Sequence, residues 1–147
     1  MPSHPGAGPA PPPPDLGTLL AAADPASGER AAQVCASCHT FDAGGPDRVG
    51  PNLNAIVGKP VAGVGGFAYS EALETHGGRW TYELLDEFLA RPARAVPGTR
   101  MAFAGIRNPR DRANLIAWLA SETPSAPPFP APRPAEAREK DEVASAR

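Results

Sequence analysis

Hydrophobic positions along the chain fall into short helical stripes separated by long runs rich in glycine and proline, with little sign of strands. Asp24-Pro25 offers an N-cap followed by proline at the first helical position, and a helix is expected from there through Ala31, Ala32 and Gln33 into the cysteines that follow. Ser70 to Thr75 fits a short helix closed by Gly77-Gly78. Thr81 can cap a third, in which Leu84, Leu85, Phe88 and Leu89 share one apolar face. Arg91-Pro92 ends it, because a residue before proline is pushed out of the helical region. Asn108-Pro109 repeats the cap-then-proline start, and Leu115, Ile116, Trp118 and Leu119 carry that helix to Ser121. Between these elements run Phe41–Gly66 and Val96–Arg107, long loops that leave a thin core. Something other than side chains is expected to fill the centre.

The prolines mark where folded chain ends. Of 20 in 147 residues, seven lie in residues 1–14 and six in 124–134. Residues 1–23 therefore read as a proline-rich disordered lead or linker, 24–123 as the folded domain, and 124–147 as a proline-rich, charged and disordered tail. A net charge of −2 argues against nucleic-acid binding. The longest apolar stretch, Leu16 to Ala23, is far shorter than the ~20 residues a membrane span needs. No charged start, apolar run and small-residue cleavage site are readable at the N-terminus.

Two cysteines cannot make a disulfide framework, but Cys35-Ala36-Ser37-Cys38-His39 has the Cys-x-x-Cys-His spacing of c-type haem attachment. Thiols one helical turn apart can each form a thioether with a haem vinyl group, and the next residue then aims an imidazole at the iron. Two other uses of the pair stay open on the motif alone. A thioredoxin-like redox pair would want a preceding strand, and a zinc site a second Cys or His pair, for which His4 and His76 are isolated. Met101 stands in Pro97-Gly98-Thr99-Arg100-Met101-Ala102-Phe103-Ala104-Gly105, a turn-rich loop with no helical period to explain a core methionine. His plus Met ligation would raise a haem potential and close the iron to small molecules.

Residues 28–122 resemble the class I cytochromes c of the mitochondrial and bacterial cytochrome c2 type. The resemblance rests on Cys-Ala-Ser-Cys-His-Thr (35–40), Gly-Gly-Pro-Asp-Arg-Val-Gly-Pro-Asn-Leu (44–53), Gly-Phe-Ala-Tyr-Ser (66–70), Trp80, Pro-Gly-Thr-Arg-Met-Ala-Phe-Ala-Gly-Ile (97–106) and Leu-Ile-Ala-Trp-Leu (115–119), in that order. It implies an all-α fold, with four to five short helices and long loops wrapped around one covalently bound haem c. By the same resemblance Cys35 and Cys38 hold the haem, and His39 and Met101 are its axial ligands. Pro51 offers its carbonyl to His39, Tyr69 and Trp80 donate to a buried propionate, and Thr99 bonds in the propionate region. Phe103, Arg48, Arg94, Arg100 and Arg107 are expected around the exposed haem edge as a docking face, apart from Glu71, Glu74, Glu83, Asp86 and Glu87.

The chain also departs from the family pattern. Ala32 stands where the family usually has an aromatic packed on the last helix, and Trp118 where tyrosine is common, so the pair is expected to compensate. Phe88 replaces a tyrosine and Leu73 an asparagine, making the methionine side more apolar. The resemblance implies a monomeric one-electron carrier between a bc1-type complex and a terminal oxidase or photosynthetic reaction centre, and not an enzyme. The alternative is the haem domain of an oxidoreductase or a peroxidase-like haem enzyme, which would need an open iron and a distal acid–base pair. A periplasmic location is implied. Leu-Leu-Ala-Ala-Ala-Asp (19–24) resembles the linker of membrane-anchored alphaproteobacterial-type cytochromes, so an anchor missing from this chain is expected in a longer form.

Overall fold

The computed structural model describes residues 14–133. Among them, six α-helices and one 3₁₀ turn carry the fold, with no strand beyond an isolated bridge between Pro60 and Arg79. The helices are α1 (Leu16–Ala21), α2 (Pro25–Ala31), α3 (Glu71–His76), α4 (Tyr82–Ala90), α5 (Pro92–Ala95) and α6 (Pro109–Ser121), with the 3₁₀ turn at Ala32–Ser37. The all-α expectation holds.

Asp24, Thr81 and Asn108, read as caps from the sequence, close their helices, and Ser70, expected as the first residue of its helix, is a fourth cap. Asp24 accepts from Ala26 N at 3.1 Å, Ser70 from Leu73 N at 3.2 Å, Thr81 from Leu84 N at 3.1 Å and Asn108 from Arg110 N at 2.9 Å. The first expected helix is shorter than its pattern suggests. It gives way at Ala32 to the tighter turn common at helix ends, in which the N–H groups of Cys38 and His39 both reach the Cys35 carbonyl.

The core lies where α2 and α6 meet and where α4 packs on α6. Gly28, buried in α2, lets the helices touch: a Cβ there would stand 2.5 Å from the Asn114 carbonyl carbon and 2.9 Å from Leu115 N. The Asn114 side chain also accepts from Asp24 N at 2.9 Å, fixing where α2 begins. Ala113, Leu115, Ile116 and Leu119 of α6 are buried with Ala32, Leu85, Phe88 and Leu89. The ring packed on Trp118 is Phe41 of the following loop, 5.0 Å away and edge-on, so the expected Ala32–Trp118 compensation runs through a residue outside the two helices.

Packed chain extends beyond both boundaries expected at 24 and 123. Leu16–Ala21 is helical, capped by Asp15, and buries Leu19 and Leu20. Beyond α6, Thr123 is buried with its hydroxyl on the Leu119 carbonyl. The Tyr82 hydroxyl donates to the Pro127 carbonyl, and Phe129 meets the Tyr82 ring edge-on at 5.2 Å. Arg133 N then reaches the Asp15 carboxylate at 3.0 Å, while Gly17 admits the Pro130 and Ala131 carbonyls where a Cβ would not fit. The apolar surface of two leucines and two aromatic rings outweighs the local preference of these stretches to stay extended. No helix among the described residues is long and apolar enough to cross a membrane. The expectations for residues 1–13 and 134–147 lie outside the described residues.

Candidate functional site

The cysteine motif occupies the 3₁₀ turn after α2, with both thiols free and partly buried. Burial pushes the Cys35 thiol up, helped by neighbouring Cys38, so it stays protonated near neutrality. The chain then turns so that the His39 ring faces the loop that follows. His39 Nδ1 lies 2.7 Å from the Pro51 carbonyl oxygen. A carbonyl only accepts, so Nδ1 carries the proton and Nε2 keeps a free lone pair. Burial lowers the His39 pKa, against the Pro51 bond that raises it, which keeps the imidazole neutral and its lone pair available. Gly50 makes room for the ring: a Cβ there would come 2.6 Å from His39 Nδ1.

Loop 40–54 is stapled to present that carbonyl. Thr40 Oγ1 donates to the Pro46 carbonyl at 2.7 Å and accepts from Asn52 Nδ2 at 2.8 Å. Asn52 Nδ2 also donates to the Asp42 carbonyl at 2.9 Å, and Asn52 Oδ1 accepts from Asn54 N at 3.1 Å. Asn52 N donates to Asp47 Oδ1 at 2.9 Å. Gly50 N joins the loop to the motif through the Cys38 carbonyl at 2.8 Å. Asn52 and Asp47 went unnoticed in the sequence as parts of the site; the only available signal was the Pro-Asn pair itself.

Met101 is partly buried and packed against the core, with its backbone N–H on Thr99 Oγ1 at 3.3 Å. Its loop is pinned at both ends, by Thr99 N on the Val96 carbonyl and Ile106 N on the Leu89 carbonyl. Gly105 supplies a positive φ of 105° and close approach to the end of α4, where a Cβ would stand 2.7 Å from the Ala90 carbonyl carbon. Arg100 reaches across to the Ala68 carbonyl at 2.8 Å, joining this loop to the one that carries Tyr69.

Trp80 is 8% exposed and packs on Phe88 with ring centroids 5.1 Å apart and the planes tilted by 59°. Its backbone is clipped by Gly58 N donating to its carbonyl and its own N–H donating to Lys59 O. The indole N–H of Trp80 meets no acceptor among the described residues, an unusual state for a buried donor. Tyr69 accepts from Val64 N at 2.9 Å, which leaves its hydroxyl proton uncommitted. Burial raises the Tyr69 pKa, so this group remains a donor. A buried indole and a part-buried phenol without acceptors suit an anionic group that is not protein. Two thiols, an imidazole lone pair and a thioether complete the donor set a c-type haem requires. The residues fit that group.

Arg48, Arg94, Arg100 and Arg107 are all exposed, and Phe103 is half-buried. Val34, directly before Cys35, and Val49, directly before Gly50, are also exposed, the latter at 80%. His76 sits exposed at the end of α3 with its ring on the Gly77 carbonyl. Among the described residues no three His, Cys, Asp or Glu side chains gather to hold an ion.

No family model matches the chain. It is 45% identical over 113 residues to a "cytochrome c homolog" of Bradyrhizobium diazoefficiens, an alignment covering 76% of this chain and 61% of that protein. The chain thus spans about three fifths of that relative's length. It is 41% identical over 105 residues to the cytochrome c2 of Rhodomicrobium vannielii, covering 71% of this chain and 84% of that one. Among solved structures, cytochrome cH from Methylobacterium extorquens superposes with a TM-score of 0.63 at 39% identity, over 67% of this chain and 98% of that one.

Proposed function

The chain belongs to the class I cytochrome c family, and from that premise we propose that it shuttles single electrons through one haem c held by Cys35 and Cys38 and ligated by His39 and Met101. It is an electron carrier and not an enzyme. Bound haem iron supplies the reversible one-electron couple. Everything else is the work of this chain's residues. Covalent attachment at two thiols keeps His39 at high effective concentration. The Pro51 carbonyl fixes the ring's tautomer, which would leave the Nε2 lone pair to hold the iron when haem is bound. Met101, from a loop pinned to α4, would be the second residue to hold the iron and would leave small molecules no open position there. Trp80 and Tyr69 supply donors for a propionate that burial would otherwise leave unsolvated.

The observation that carries this reading is the His39–Pro51 hydrogen bond, with Gly50 leaving space for the ring: it fixes a neutral imidazole whose Nε2 has no hydrogen-bond partner among the described residues. Donor and acceptor are proposed to be a bc1-type complex and a terminal oxidase or photosynthetic reaction centre, met in the periplasm. The exposed arginines favour acidic partner surfaces and an association that weakens with salt. Absorption spectra of the haem-loaded chain test the ligand set. The oxidised protein is expected to show the weak red charge-transfer band of methionine–iron bonding. The Met101→Ala variant should lose that band and bind carbon monoxide when reduced. A Met101→Ala protein that keeps the band, or excludes carbon monoxide as the parent does, refutes Met101 as the ligand.

A further inference from the structure

Pro51 C=O and Asn52 N–H belong to one peptide group, and the structure engages both ends of it. The carbonyl oxygen accepts from His39 Nδ1 at 2.7 Å, and the N–H donates to the Asp47 carboxylate at 2.9 Å. Asp47 is exposed, and among the described residues no cation pairs with it, the single ion pair being Arg112 with Asp86. The acceptor of the Asn52 N–H is therefore a carboxylate with no protein cation paired to it among the described residues. Asn52 uses its side chain to hold this peptide in place, through Thr40, the Asp42 carbonyl and Asn54 N.

We propose that Asp47 is a positioning and tuning residue for the iron ligand, acting on His39 through the Pro51–Asn52 peptide. The inference rests on His39 being the ligand and deepens that reading. A hydrogen bond to a charged acceptor is stronger than one to a neutral acceptor, and hydrogen bonds in series polarise one another. A carboxylate drawing on the N–H shifts electron density toward the carbonyl oxygen, making it a better acceptor for the Nδ1 proton. His39 thereby gains anionic character and donates more strongly to the iron. Stronger donation favours the oxidised, more positively charged state, so Asp47 lowers the reduction potential.

Asp47→Asn removes the charge but keeps an oxygen able to accept from Asn52 N, so the loop should persist. Asp42→Asn is the control: it removes an exposed carboxylate from the same loop, where only the backbone carbonyl of Asp42 touches Asn52. Both haem-loaded variants and the parent are titrated for midpoint potential at high salt, which screens through-space charge effects at the surface. The His39 Nδ1–H resonance is followed by NMR in the reduced protein. In Asp47→Asn the potential should rise, the Nδ1–H signal should move upfield, and its exchange with water should quicken; Asp42→Asn should change none of these. An unmoved Nδ1–H signal in Asp47→Asn, or an equal change in Asp42→Asn, overturns the relay. Failure of the ligand reading looks different: the parent itself would lack His39 ring signals shifted by the haem.

Discussion

Gly28→Ala tests how closely α2 and α6 must approach. In a helix, alanine is ordinarily favoured over glycine by about 0.5–1 kcal/mol. Here the new methyl would fall 2.5 Å from one backbone carbon of α6 and 2.9 Å from a backbone nitrogen. Ordinary contact is about 3.5–4.0 Å, so α6 must retreat by roughly 1 Å. No rotamer can absorb this, since the obstructing atoms are main chain. A gap of that size forfeits about a quarter or more of the dispersion well of each separated pair. For Leu115, fully buried at this junction, a quarter of its contact energy is about 1–3 kcal/mol. After the helix-propensity gain is deducted, the variant should be about 1 kcal/mol less stable, at the low end of what overpacking costs. In a domain of this size that lowers Tm by about 3–6 °C. The assay is thermal unfolding of the haem-loaded protein by far-UV circular dichroism, beside Gly65→Ala, where a Cβ meets nothing within 4 Å. A Gly28→Ala protein that melts with the parent, or with Gly65→Ala, refutes the argument.

Two further outcomes concern the segment after α6. Tyr82→Phe deletes the donor to the Pro127 carbonyl and should cost about 0.5–1.5 kcal/mol, with faster amide exchange confined to residues near 126–133. Exchange that speeds up uniformly across the domain would show that the segment is not held through this contact. Asp15 is the second handle. Burial works against its charged form, but the Thr18 hydroxyl and the amides of Arg133 and Thr18 outweigh it and bring the carboxyl to about 2, from 3.8. A depressed carboxyl stabilises above its unfolded pKa and loses that contribution as pH falls through its folded one. The join between residues 15 and 133 should therefore stay intact above about pH 4 and loosen toward pH 2. The Arg133 amide shift, followed by NMR, reports it; a midpoint near 3.8 would contradict the hydrogen-bonded geometry.

The parts of the fold that were legible in the sequence are those with local causes. An Asp, Thr or Asn cap is a contact over two or three residues, and the three read at Asp24, Thr81 and Asn108 appear where the chain spells them. The cysteine–histidine motif and Met101 are likewise written as residues. What stayed hidden depends on partners distant in sequence. Leu16–Ala21 has Gly17 and Thr18 in its first turn, and its helix is secured by burying Leu19 and Leu20, which no six-residue window reveals. Proline-rich chain after Thr123 looks unstructured because its ordering comes from Tyr82, 45 residues earlier than Pro127. Phe41 facing Trp118 joins a loop to a helix, with no shared period to announce it. At the site, Asp47 reads as an ordinary loop acid; its importance appears only when the next turn brings Asn52 N–H to it.

Asp15 and Arg133, joined by a hydrogen bond although 118 residues apart, fasten the two ends of the described chain to one another. The Asp15 carboxylate therefore works as a clasp: opening it, by acid or by substitution, frees α1 and the 130–133 stretch that lies on Gly17 as one unit rather than singly.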